Sequence, residues 1–308
     1  METRNELMGI ILVLVIGVCF AMANTLAGLA YTGGTDALSV STSRFMLPAL
    51  ILVVILVLQR KSILLPTRDG LISIVLGLVT VGYTWALLSA IEILAVPLVV
   101  LIFYLFPLIT SFIVAAMGWE QLRKINIVAA FVAFGGLALA LGTQAGGLNI
   151  LGVVYSVIAA FGLATVSAVS KRVIRTGDPR QATFYMATTA MVVFLVITFA
   201  AGEFRLPETG PGWWGFIGTN VFYAVAMIGY FAAIGMIGPA KTTLYSNIEP
   251  VLAIGAAWVL LDQTLSPIQF VGVLIVLGAL VAVARVALRA GRVPTGPAAP
   301  GSSDRASP

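Results

Sequence analysis

An acidic residue beside a proline, Glu249-Pro250 in the stretch "YSNIEPVLAI", stands in the middle of an otherwise apolar run from Gly238 to Leu261. An ionised carboxylate at that depth in hydrocarbon is costly, so it must be neutralised, hydrated or used. Two chemistries fit. A carboxyl kept neutral by desolvation can exchange its proton whenever a water-filled cavity reaches it, which is how membrane carboxylates couple transport to protons. Alternatively, a neutral Glu249 hydrogen-bonds a backbone carbonyl that Pro250, lacking an N–H, leaves without a donor. Both readings stand at this point. Lys241 and Tyr245 precede Glu249 by eight and four residues, so all three are expected on one ridge of a single helix. A cavity along that ridge would meet ammonium, phenol and carboxyl in turn, with Asn247 beside them. Lys241 lies near the end of its run and can equally snorkel to the headgroups.

Other polar residues inside apolar runs extend the candidate set. Arg44 in "STSRF" either pairs with an anionic substrate group or reaches the headgroups. Asn24 and Ser167 each sit beside a row of small residues and are candidates to face a cavity. Tyr83, Trp85, Tyr104 and Tyr230 form either an aromatic cage for flat or cationic ligands or ordinary packing. With no histidine and a single cysteine, Cys19, imidazole chemistry and an intramolecular disulfide are both excluded. No metal or other cofactor is expected. The chain also lacks a Walker P-loop, a G-x-S-x-G elbow and an H-E-x-x-H pair, which argues against an ATP-driven pump and against an intramembrane hydrolase.

The elements that must carry these residues follow from composition. Of 308 residues, 60% are apolar and 9% charged, which is the signature of an integral membrane protein. Runs long enough to span hydrocarbon as helix, about 20 residues each, fall at 8–30, 37–58, 70–90, 94–117, 125–142, 150–171, 180–201, 212–234, 238–261 and 267–287. They are continuous and too long for barrel strands, so an all-α protein of ten transmembrane helices is expected. The first run, "ILVLVIGVCFAMAN", resembles a signal-peptide core but follows a segment, "METRNE", that is not net positive, and is expected to remain as a span.

An offset of 143 residues carries Pro107 onto Pro250, Gly9 onto Gly152, Ala21 onto Ala164 and Gly135 onto Gly278. One offset holding from end to end implies duplication, with a first five-helix unit at 1–143 and a second at 144–290. An odd number of spans per unit forces the second to enter from the opposite side, giving two inverted-topology repeats. Gly17, Ala21 and Thr25, matched by Ala160, Ala164 and Ala168, form small ridges for close helix packing. Basic residues set the orientation. Arg60, Lys61, Arg68, Arg123, Lys124, Lys171, Arg172, Arg175, Arg180, Arg285, Arg289 and Arg292 fall on one side and only Arg205 on the other, so both termini are expected in the cytoplasm. Trp119, Trp213 and Trp214 fit an aromatic belt, Glu120 and Asp262 fit span ends, and the Pro- and Gly-rich tail at 291–308 is expected to be disordered.

The segments "GYTWALLSAIEILAVPLVVLIFYLFPLITSFIVAAMGWEQL" and "IGYFAAIGMIGPAKTTLYSNIEPVLAIGAAWVLLDQTLS" resemble the ten-span drug/metabolite transporter superfamily, specifically its EamA-type members. In each, a helix ends in a small-residue corner and is followed by a helix with a mid-span proline and an acidic residue at its far end. The pattern departs at Asp262, where Glu is usual, and at Trp119, where Gly is common. The resemblance implies a secondary transporter in the cytoplasmic (inner) membrane that moves a small polar or amphipathic, amino acid-like metabolite, most often outward. An uptake permease or exchanger of the same fold is the alternative. Expected partners are the lipid bilayer and a small-molecule substrate, with no nucleic acid, in a monomer or homodimer. An intramembrane enzyme and a non-transporting receptor are the remaining classes, and short loops weigh against the latter.

Overall fold

The computed structural model describes residues 2–60, 64–119, 121–141, 149–173, 179–237, 242 and 245–290. Among them every regular element is helical. In chain order they are α1 (Glu2–Thr32), α2 (Ala37–Leu58), α3 (Thr67–Ile93), α4 (Val96–Phe103), α5 (Phe106–Ala116), α6 (Lys124–Leu141), α7 (Ile150–Val173), α8 (Pro179–Ala201), α9 (Gly210–Ile237), α10 (Glu249–Leu261) and α11 (Pro267–Ala290). Among the described residues, eight stretches are long and apolar enough to cross a membrane, with α4 and α5 counted as one stretch, and α10 is a shorter apolar helix. Hydrocarbon offers no partner for a free N–H or C=O, which is why these apolar runs close their hydrogen bonds internally as helix.

Helix faces are sorted by size rather than by polarity. Along α1, Ala23, Ala27 and Ala30 are buried while Leu7, Ile11, Leu14, Val15 and Val18 are exposed. Small residues inward let backbones approach, and large apolar residues outward suit lipid. The α1–α9 pair is one example. A Cβ added at Gly215 would lie 2.5 Å from the Ala30 nitrogen and 2.7 Å from the Leu26 oxygen, and Thr219 donates from α9 to the Ala23 carbonyl at 2.7 Å. Likewise α6 meets α11 at Gly136, where a Cβ would sit 2.8 Å from the Gly272 oxygen.

Two runs expected to be continuous helices are broken. The first gives way at Tyr104–Leu105, between α4 and α5; the second at Asn247–Ile248, before α10. Each later segment has a proline in its first turn, Pro107 and Pro250. That position suits proline, but its missing N–H orphans the carbonyl four residues earlier, which is Phe103 in one case and Ser246 in the other. The 143-residue offset superposes the two breaks, Tyr104 on Asn247. Consequently Tyr245 and Glu249 do not share one helical ridge: a turn at Asn247–Ile248 separates them.

At one end of the bundle, Thr35 donates to the Arg205 carbonyl (2.6 Å), the Arg205 N–H to the Ser39 hydroxyl (2.8 Å), and the Glu208 N–H to the Gly33 carbonyl (2.7 Å). The Val96 N–H meets Gln263 at 2.9 Å at the same end. At the other end the Arg180 guanidinium donates to the Gln59 side-chain carbonyl. Asp262 caps α10 in the left-handed region, φ 53°, its N–H bonded to the Ala257 carbonyl. The expected tail at 291–308, together with Lys61, Glu120 and Arg175, lies outside the described residues.

Candidate functional site

Four side chains from four helical elements form one hydrogen-bonded chain. The Arg44 Nη2 on α2 donates to the Asn24 Oδ1 on α1 at 3.0 Å. The Asn24 Nδ2 donates to the Glu249 Oε1 on α10 at 3.3 Å. The Glu249 Oε2 lies 2.5 Å from the hydroxyl of Tyr104, at the α4–α5 break. That hydroxyl is also 3.1 Å from the Ser246 carbonyl. At a rise of about 1.5 Å per residue, Arg44, Asn24 and Tyr104 lie roughly 10–12 Å, and Glu249 roughly 18 Å, from the same end of the bundle. The chain therefore crosses the middle of the helices, and it joins residues from both halves of the sequence.

Local structure explains why each side chain is there. Pro250 makes Glu249 the first residue of a new helix, so the carboxyl leaves the backbone at a break instead of on a helix flank. Gly17 permits this. A Cβ there would come within 2.8 Å of the Ile248 Cγ2, so α1 lies directly against the break. Tyr104 occupies the matching break in the first half, and α4 packs against α10. Ser246 is the carbonyl that Pro250 orphans, and Tyr104 supplies the donor that the helix cannot.

A phenol carries one hydrogen, and here it faces two acceptors. When Glu249 is protonated, its O–H donates to the Tyr104 oxygen and Tyr104 donates to Ser246, satisfying every atom. When Glu249 is ionised, the tyrosine hydrogen turns to the carboxylate and Ser246 loses its donor.

Arg44 is 1% exposed and Glu249 5%. The Arg44 guanidinium lies 4.1 Å above the ring of Tyr223 on α9. Tyr31, Tyr83, Tyr223 and Glu249 are within its electrostatic reach, yet it forms no ion pair among the described residues. Its Nε is buried without a hydrogen-bond partner. Phe20 and Phe45 pack edge-on against Tyr223 at 6.1 and 5.6 Å.

Of the residues singled out in the sequence, Arg44, Asn24, Glu249 and Tyr104 are thus brought into direct contact. Tyr83 lies in the same neighbourhood as Arg44. Tyr230 stacks edge-on with Phe20 at 6.3 Å, and Tyr245 is half-buried against the α1–α9 cluster. Asn247 is buried beside the break with an unpartnered Oδ1. Trp85 stands apart, 41% exposed against Tyr155, so the four aromatic residues do not form one cage. Ser167 is half-buried, and its carbonyl accepts from Ser170. Lys241 lies outside the described residues. Tyr223 and the Ser246 carbonyl escaped the sequence reading. The signal for Tyr223 was its position seven residues before Tyr230, on the same face of α9.

A cleft of about 520 Å³ opens at the Thr35 end, between α1, α3 and α10, lined in part by Gly28, Tyr31, Glu92, Asp262 and Gln263. Asn24 lies one turn deeper along α1 than Gly28.

A model of the EamA-like transporter family matches residues 7–142 and again 150–285. One solved crystal structure aligns with a TM-score of 0.66, covering 94% of this chain and 99% of that one at 19% identity, a likeness of fold. No curated relative matches the chain.

Proposed function

Because the chain belongs to the EamA-like transporter family, we propose that it is a secondary transporter working by alternating access, with Glu249 as its proton-exchanging group. We assign it ten crossings in two inverted five-helix units, 1–143 and 144–290, in the cytoplasmic membrane with both termini inside. Its cargo is a small polar or amphipathic metabolite of amino acid-like chemistry, moved outward as the family resemblance implies. No chemical step is assigned to it.

The observation that carries proton exchange is the Tyr104 hydroxyl set between Glu249 and the Ser246 carbonyl. Changing the charge on Glu249 changes which of the two the phenol serves, and so alters the contact between the broken helices of the two halves. A carboxyl with that leverage suits a coupling role better than a purely structural one. The test uses purified protein in proteoliposomes, with leucine and other amino acids as probes. In Glu249→Gln the amide keeps shape and hydrogen bonding, so folded yield is retained, accumulation driven by a pH gradient is lost, and exchange of substrate for substrate persists. Wild-type gradient-driven transport by that variant ends the coupling hypothesis.

A further inference from the structure

Arginine presents one edge, Nε–H and an Nη2–H, as a parallel fork that matches the two oxygens of a carboxylate. In Arg44 that edge is half used: Nη2 is held by the Asn24 carbonyl and Nε, fully buried, has no partner. One face of the guanidinium lies over Tyr223, and this edge carries the donor that has no partner.

Charge accounting points the same way. Among the described residues, the groups facing Arg44 are the phenols of Tyr31 on α1, Tyr83 on α3 and Tyr223 on α9, together with Glu249 on α10. Those facing Glu249 are Tyr104, Arg44 and Asn24, with Tyr230 near Tyr104. Phenols carry no charge at neutral pH, so among the described residues the site holds one fixed positive charge and one titratable acid. With Glu249 ionised, the empty site is neutral. With Glu249 protonated, in the arrangement that satisfies Tyr104 and Ser246 together, the site carries a buried and uncompensated positive charge, which is strongly unfavourable.

We propose that the Nε/Nη2 edge of Arg44 is the subsite for a substrate carboxylate, and that a monocarboxylate and a proton on Glu249 bind together. The incoming carboxylate takes the free Nε and displaces the Asn24 carbonyl from Nη2. It then replaces Glu249 as the counter-charge, so the acid is free to keep its proton. A zwitterion adds an ammonium and restores the excess positive charge, so it is accepted with Glu249 ionised. Proton and ligand therefore reinforce one another for a monocarboxylate and compete for a zwitterion. This inference rests on the reading of Glu249 as a proton-exchanging group.

Binding to the purified full-length protein, measured by titration calorimetry with three probes of one shape, tests it: 4-methylpentanoate, leucine and 3-methylbutylamine. The carboxylate is expected to bind more tightly as pH falls through the neutral range, approaching about tenfold per pH unit, with uptake of about one proton per ligand. Leucine is expected to show the opposite slope, and the amine alone to bind weakest. Arg44→Gln should abolish carboxylate binding, and Arg44→Lys, which keeps charge but loses the fork, should weaken it by about tenfold or more. Glu249→Gln should bind the carboxylate independently of pH. Wild-type protein that fails to bind the carboxylate, binds it independently of pH, or prefers the amine overturns the subsite without recourse to any variant. Unchanged binding by folded Arg44→Gln overturns it too. If Glu249→Gln still accumulates substrate on a pH gradient, the proton reading itself fails; if that accumulation is lost while carboxylate binding ignores Arg44, only the subsite fails.

Discussion

At the scale of single residues, the polar chain from Arg44 to Ser246 is governed by hydrogen-bond supply. Pro250 removes one backbone donor, and Tyr104 returns it from another helix. Tyr104→Phe therefore leaves the Ser246 carbonyl and the Glu249 carboxyl each short of a partner inside the bundle, at a cost of about 1–3 kcal/mol. Equilibrium unfolding in mixed micelles checks the size. The cause is checked by Pro250→Ala, which restores an N–H at the position where a continuous helix would serve Ser246. In the Tyr104→Phe background it should recover part of the loss, whereas in wild-type protein it should be neutral or destabilising. A double-mutant cycle without coupling between the two positions would disconnect Tyr104 from the proline. Asn24 is held between opposite demands, its carbonyl toward Arg44 and its amide toward Glu249. Asn24→Leu is predicted to lower both stability and gradient-driven uptake, because it strips a buried guanidinium of the side-chain carbonyl that accepts from it. Normal uptake by Asn24→Leu would remove the bridge from the account.

At the scale of elements, close approach of α1 to the second break depends on Gly17. Gly17→Leu must push Ile248 aside, an overpacking cost of about 1–3 kcal/mol, and is expected to reduce folded yield. Val18→Leu, on the exposed side of α1, is the control and should be tolerated. Equal yields for the two would mean that α1 has room to move at the break. The matching ridge on α7, with Ala160, Ala164 and Ala168 all buried, makes the same prediction for Ala164→Leu, since the Ala164 carbonyl is within 3.4 Å of the Thr110 hydroxyl on α5.

For the molecule as a whole, the proposed orientation is open to a labelling test. In a background with Cys19→Ala, cysteines at Gly34 and Glu208 should react with an impermeant thiol reagent applied outside intact cells, and one at Arg60 should react only after permeabilisation. The two reactive positions lie at one end of the bundle, joined through the Glu208–Gly33 backbone bond, while Arg60 follows α2 at the other end. Labelling of Arg60→Cys from outside, with protection of the other two, would invert the assignment and with it the side from which the cleft at Gly28 and Asp262 is reached.

The class of the protein was legible without coordinates because solvation in lipid is a matter of composition. Long apolar runs must close their own hydrogen bonds, so helices and their approximate limits follow from length alone. A single repeat offset likewise exposed the paired prolines, and a buried Glu, Arg and Asn were conspicuous because charge and amide groups are expensive in hydrocarbon. Three things were decided only by tertiary packing. The chain turns at Asn247–Ile248 before Glu249, whereas an intact ridge was expected, because proline permits either a kink or a restart and only packing, here against Gly17 and Tyr104, distinguishes the two. Tyr104 separates from Trp85, because which face of an apolar helix turns inward depends on side-chain size and on the partner helix, not on a polar-apolar pattern. Tyr223 under Arg44 and the Ser246 carbonyl under Tyr104 belong to residue types that are unremarkable in a membrane helix, and only the crossing of four elements gives them a role. Sequence alone set which groups were too costly to be idle; the fold decided which of them touch.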